Sequence, residues 1–110
     1  MIVRTKKDGK AIPVLPDVRF TLLQNSTRMM LMLVELSEGS TVPLHNHPHE
    51  QMGICLHGSA ELVSDDAVTT IQEGDTYSLA SNEKHMVRNP SKGARAPSFL
   101  TYSVHHVKIT

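Results

Sequence analysis

The chain has 110 residues, eleven Lys and Arg against eleven Asp and Glu, and a single cysteine, Cys55. That length suits one domain over residues 1–110 and is short for two, and the balanced charge gives no electrostatic case for nucleic acid or a membrane surface as a partner. One cysteine excludes an intrachain disulfide and fits a reduced, cytoplasmic setting.

Residues 1–10 carry charge with no apolar stretch behind them, so they do not read as a secretory leader. No helical stripe is sustained anywhere along the chain. Short apolar or alternating runs recur between turn signals instead, which predicts an all-β domain. The stretch up to Pro16 supplies an edge strand or an arm. Residues 18–24 read as a strand closed by Asn25-Ser26. The next, residues 28–36, is apolar on both faces: Met30, Met32, Val34 and Leu36 on one, Met29, Leu31 and Leu33 on the other. A strand of that kind is covered on both sides. Its longest apolar run, residues 29–34, is far short of a membrane span.

After the turn Glu38-Gly39-Ser40 comes a strand over 51–57, stopped by Gly58. Runs at 60–63 and 68–72 flank Ser64-Asp65-Asp66 as a hairpin, and Glu73-Gly74-Asp75 makes another turn. Strands over 76–79, 85–88 and 98–104 complete the series, with a loop at 89–93. Many short strands and no helix predict a closed barrel or jelly roll.

Aromatic residues are scarce, while His45, His47, His49 and His57 crowd into one short stretch of a chain with seven histidines. His45 and His47 are two apart, and on an extended chain such residues face the same way, so both imidazoles can reach one ion. Imidazole suits zinc, iron, nickel, copper and manganese. Pro48 bends the chain immediately afterwards. A further ligand can come from a distant strand, and His85, opening a strand after the polar loop 81–84, is the best candidate.

These residues stand in a spacing that resembles the cupin family. Its first motif runs Gly, five residues, His-x-His, three or four residues, Glu, six residues, Gly; Gly39, His45, His47, Gln51 and Gly58 keep that register with Gln at the Glu position. Its second motif is matched by Gly74, His85 and Asn89, with Ala80 in place of Pro and Asn82 in place of Gly. Asn tolerates positive φ better than most residues, so it suits the turn. The resemblance implies a jelly-roll barrel, the double-stranded β-helix, whose motifs at 39–58 and 74–89 hold one divalent metal on His45, His47, Gln51 and His85. Zinc, nickel, manganese and iron are the candidate ions. A neutral amide removes no charge from the ion, which favours Lewis-acid chemistry over an oxygenase site of two histidines and a carboxylate.

Three functions follow from the resemblance. The first is a Lewis-acid enzyme for a small oxygen-rich substrate, acting as isomerase, cyclase or ring-opening enzyme. The stretch 45–51 is similar to small cupins that open unsaturated uronates and to polyketide cyclases, although 98–110 lacks the acidic and arginine residues of the uronate group. The second is a dioxygenase of the quercetinase or diketone-cleaving type, and the third is a sensing or storage protein. Met30 and Met32 are expected to line an adaptable apolar pocket, with Cys55 as a small interior filler. Tyr102, by parity with Leu100 and Val104, is the candidate catalytic hydroxyl. His49 is expected to rim the mouth or point outward, His57 to be structural or exposed, and His105 and His106 to be solvated near the terminus. Met29, Leu31 and Leu33, or Ile54 and Leu56, are candidate contacts of a homodimer.

Overall fold

A computed structural model describes residues 1–65, 67–91 and 97–104. Within them one turn of 3-10 helix, Lys6–Asp8, precedes ten strands: β1 Lys10–Leu15, β2 Val18–Asn25, β3 Met29–Leu36, β4 Thr41–His45, β5 Glu50–His57, β6 Ser59–Ser64, β7 Ala67–Gln72, β8 Thr76–Leu79, β9 His85–Arg88 and β10 Ser98–Val104. The N-terminal stretch does add an edge strand, β1, paired antiparallel to β2. Of the strands, β4 is the one that the sequence did not signal. It is short, contains Pro43, and ends at His45, the first of the histidine pair, so its pattern looks like loop.

All pairings are antiparallel. The strands form a six-stranded sheet in the order β1-β2-β3-β10-β5-β8 and a four-stranded sheet in the order β4-β9-β6-β7. The two inner faces enclose the core, as in a jelly roll. Registers set which residues share a layer. Met30, Ser103, Gln51 and Leu79 lie in one row across β3, β10, β5 and β8. Met32, Thr101, Gly53 and Tyr77 form the next row, and Val34, Phe99 and Cys55 the third. The third row belongs to the closed end, where Val18, Leu36, Cys55, Ala60, Ile71 and Phe99 make a continuous buried cluster. The first row opens toward the histidines.

One local device holds each end of the barrel in shape. Asn89 donates its side-chain amide to the carbonyls of Leu36 and Ser37 (3.2 and 3.1 Å), pinning the turn between β3 and β4. Asn82 adopts φ +63° in the loop before β9, the left-handed geometry for which Asn was expected to serve in place of Gly. Its backbone N–H donates to the carbonyl of His47 at 2.8 Å, and Ser81 Oγ donates to the carbonyl of Pro48 at 2.6 Å. The loop carrying the second motif is thereby tied to the loop carrying the first. Among the described residues no helix is long and apolar enough to cross a membrane.

Candidate metal centre

His45 ends β4 and His85 opens β9; the two are cross-strand partners. His47 lies in the connection to β5 and Gln51 on β5 itself. One ring nitrogen from each of His45, His47 and His85 lies within 4.8 Å of the other two. The ring centroids are 4.2 Å apart for His45 and His85, 5.0 Å for His47 and His85, and 5.7 Å for His45 and His47.

Backbone carbonyls decide which nitrogen converges. His45 Nδ1–H donates to Pro43 (2.7 Å), His47 Nδ1–H to His49 (2.9 Å) and His85 Nδ1–H to Glu83 (2.9 Å). A carbonyl oxygen only accepts, so each Nδ1 must carry the hydrogen and each neutral ring keeps its lone pair on Nε2. This is the arrangement in which an imidazole is oriented and made more basic as a metal ligand.

Two further observations test whether these residues fit an ion. His85 is 2% exposed, and its Nε2 is buried with no hydrogen-bond partner. An orphaned buried acceptor is costly and calls for an explanation. Burial holds the His85 imidazole below its ordinary pKa, and the neighbouring His45 and His47 rings push it the same way, against the raising effect of the Glu83 carbonyl. Both effects favour the neutral ring, whose lone pair is then available. Secondly, His47 Nε2 faces Gln51 Oε1 at 2.9 Å. With His47 neutral and the amide turned this way both atoms are acceptors, an opposition that a cation between them, a proton on His47 or a turned amide would relieve. The three imidazoles thus suit a metal ion, with the Gln51 amide oxygen beside them.

Glu83 steadies this loop. Its carboxylate accepts from Ser64 Oγ (2.6 Å) and from the backbone N–H of Ala80 (3.0 Å), which hold it below the usual carboxylate range.

The cluster sits at the mouth of an interior cavity of about 200 Å³. Met30 and Met32 line it, together with Phe20, Val34, Val42 and Val87. His49 also lines the mouth, its ring stacked on His47 with centroids 4.8 Å apart. His57 is half-buried at the end of β5. His105 and His106 lie outside the described residues.

Two expectations are corrected. Cys55 faces inward with Gln51 but does not line the cavity. At 1% exposure it is sealed in the closed-end cluster, packed away from the cavity that its row-mates Val34 and Phe99 help to line. Tyr102 is on the outer face of the six-stranded sheet, beside Leu31, Met52 and Leu100, with its hydroxyl directed at Met29 Sδ. On β10 the inward residues are Phe99, Thr101 and Ser103. Both parities of 98–104 mix apolar and hydroxyl residues, and a shift of one position exchanges the faces.

The tyrosine whose hydroxyl enters the barrel is Tyr77 on β8, for which the sequence raised no expectation. Its oxygen lies 2.9 Å from Thr101 Oγ1 and 3.5 Å from Gln51 Nε2. A signal existed: Gly53 on the neighbouring strand leaves a gap in an otherwise substituted inward row. A Cβ there would fall 2.5 Å from the Tyr77 hydroxyl oxygen.

Known proteins share this architecture. The polyketide cyclase RemF from Streptomyces resistomycificus superposes with a TM-score of 0.83 at 22% identity, over 96% of this chain and 81% of that one. KdgF from a Halomonas species gives 0.81 at 15% identity, covering 96% of each chain. An RmlC-like cupin of Shewanella frigidimarina gives 0.81 at 12%, over 94% of this chain and 90% of that one. At these identities the likeness concerns the fold. In sequence, a mannose-1-phosphate guanylyltransferase of Sinorhizobium fredii is 28% identical over 74 residues. The match takes in 66% of this chain but spans only 14% of that protein's length. Residues 32–97 match the family described as Cupin domain, a stretch running from β3 past both histidine motifs, and the chain belongs to that family.

Proposed function

We propose that this cupin is a metal-dependent enzyme of the isomerase or cyclase kind. Its substrate is small, neutral and largely apolar, and presents a carbonyl or enol oxygen. His45, His47, His85 and Gln51 would hold the ion. The observation that carries this reading is the convergence of three Nε2 lone pairs, one of them buried and unpartnered, at the mouth of an apolar cavity. When bound, such an ion supplies Lewis acidity that polarises a carbonyl and stabilises the enolate form.

The chain's own groups perform the rest. The backbone carbonyls of Pro43, His49 and Glu83 aim the imidazoles. The amide of Gln51 adds a ligand without neutralising charge. Met30, Met32 and Val34 exclude water from the reacting region, which strengthens every electrostatic interaction inside it. Ser103, in the same wall, offers a hydroxyl to a second substrate oxygen. Among the described lining residues there is no Lys, Arg, Asp or Glu. A carboxylate-rich substrate would find no cationic partner among them, which favours the cyclase type of chemistry over opening of a sugar acid. The fold of RemF, a polyketide cyclase, accommodates the same reading.

The same lack of a charged base favours one rival, a cupin that binds a metabolite without turnover. Protein purified without added metal, assayed for bound ions and for conversion of enolisable ketones and diketones with and without oxygen, separates the cases. We expect one divalent ion per chain and turnover without oxygen. Iron with oxygen consumption would make the protein a dioxygenase, and saturable ligand binding without product would make it a sensor. The double variant His45→Ala/His85→Ala should lose the ion. Stoichiometric metal in that variant would sink the ligand set itself.

A further inference from the structure

Gln51 can present either end of its amide to the histidines, and only one end is useful. An amide oxygen is a ligand; an amide NH2 is not. In the structure Oε1 faces His47 Nε2 at 2.9 Å and Nε2 faces the Tyr77 hydroxyl at 3.5 Å. For the protein alone this is the less comfortable choice, since it opposes two acceptors. The flipped amide would donate an N–H to His47 Nε2 and satisfy both atoms. Something other than His47 must favour the orientation seen.

We propose that Tyr77, backed by Thr101, is the positioning residue that keeps Gln51 Oε1 turned toward the three-histidine cluster. A phenol has one hydrogen to give and lone pairs to receive with. If Tyr77 donates to Thr101 Oγ1, 2.9 Å away, it has no hydrogen left for Gln51 and can only accept. An acceptor at that place selects the NH2 end of the amide, and the oxygen is then directed to the other side. Thr101 is 7% exposed, so its hydroxyl is held in the wall without competition from bulk water.

The path for this chain is built into three adjoining strands. Gly53 on β5 is paired with Tyr77 on β8 and with Thr101 on β10, and a Cβ at Gly53 would lie 2.6 Å from Tyr77 Cζ. The missing side chain is what lets the phenol cross β5 to reach Thr101. One row of the barrel therefore serves the row above it, where Gln51 sits.

The inference rests on the metal-binding reading, and its test uses Co²⁺ as the probe, read by affinity and by visible absorption. The wild-type chain is compared with Tyr77→Phe, Thr101→Val, Gln51→Ala and the double variant Gln51→Ala/Tyr77→Phe. Loss of an outer partner of a ligand typically weakens metal binding about tenfold or more. We expect Tyr77→Phe to lose about that factor and to shift its spectrum toward that of Gln51→Ala. Thr101→Val should move both readouts the same way, and Tyr77→Phe should add nothing once Gln51 is gone. Unchanged melting of the metal-free Tyr77→Phe protein would show that packing is intact. Tyr77→Phe with wild-type affinity and spectrum overturns the proposal, as does an equal loss in the Gln51→Ala background. If Gln51→Ala binds like wild type, this proposal fails while the three-histidine site stands. If the wild-type chain takes up no Co²⁺, both fail.

Discussion

At the scale of single residues, chemistry here depends on depth as much as on identity. Cys55 and Gln51 face the same interior from the same strand, four positions apart. Gln51 is at the open row and half-buried; Cys55 is at the closed end and 1% exposed. Burial raises the Cys55 thiol above its ordinary range, an effect that the neighbouring Asp75 and Glu73 charges reinforce and the His57 carbonyl opposes. Only the thiolate is a nucleophile. We therefore expect Cys55 to resist iodoacetamide at neutral pH in the folded protein and to react fully once the chain is unfolded in guanidinium. Rapid labelling of the native protein would show that the closed end opens.

At the scale of elements, the strands meet through side chains that are absent as well as present. Gly53 is the case with the largest consequence, because the Tyr77 ring occupies the place of its side chain. Gly53→Ala is expected to destabilise the fold by about 1–3 kcal/mol, the cost of overpacking a filled interior. The extra methyl also expels the phenol from its seat beside Thr101. Thermal or urea unfolding would show the loss. A Gly53→Ala protein as stable as wild type would mean that β5 and β8 can separate freely. The pairing of His45 with His85 belongs to this scale too: forty residues apart in sequence, they become neighbours because β4 lies beside β9.

At the scale of the whole molecule, the two sides of the six-stranded sheet are both apolar. The inner side is the core. The outer side carries a shallow groove with Leu31, Met52, Ile54, Leu100 and Tyr102 along it, and Met29 and Leu56 are also exposed. The two alternative contact sets read from the sequence thus belong to one face, joined by β10. We propose that its occupant is a second copy of this chain. The groove has no charged lining, which asks for an equally apolar partner, and a two-fold axis needs only one self-complementary patch. Met52, 52% exposed, is the point to test. Size-exclusion chromatography with light scattering should give twice the chain mass for wild type at micromolar concentration. Met52→Lys should elute as a folded monomer. A monomeric wild type would remove the second copy from this face.

Much of the molecule is legible in its letters. Alternation and turn residues outline eight of the ten strands among the described residues, because period two follows directly from the pleat, and leave β1 open between an edge strand and an arm. The spacing of His45, His47, Gln51 and His85 names the candidate ligands, because motif spacing encodes which strand positions face the barrel mouth. What letters leave open is parity and depth. Strands such as β10 carry apolar and hydroxyl residues on both faces, so nothing local says whether Thr101 or Tyr102 turns inward. Only pairing with β3 and β5, whose inward rows are defined by Met32 and Gly53, decides for Thr101. Tyr77 acquires its place from the same closure. Its hydroxyl means little in sequence until a gap at Gly53 and a hydroxyl at Thr101 are brought against it by strands that lie far apart along the chain.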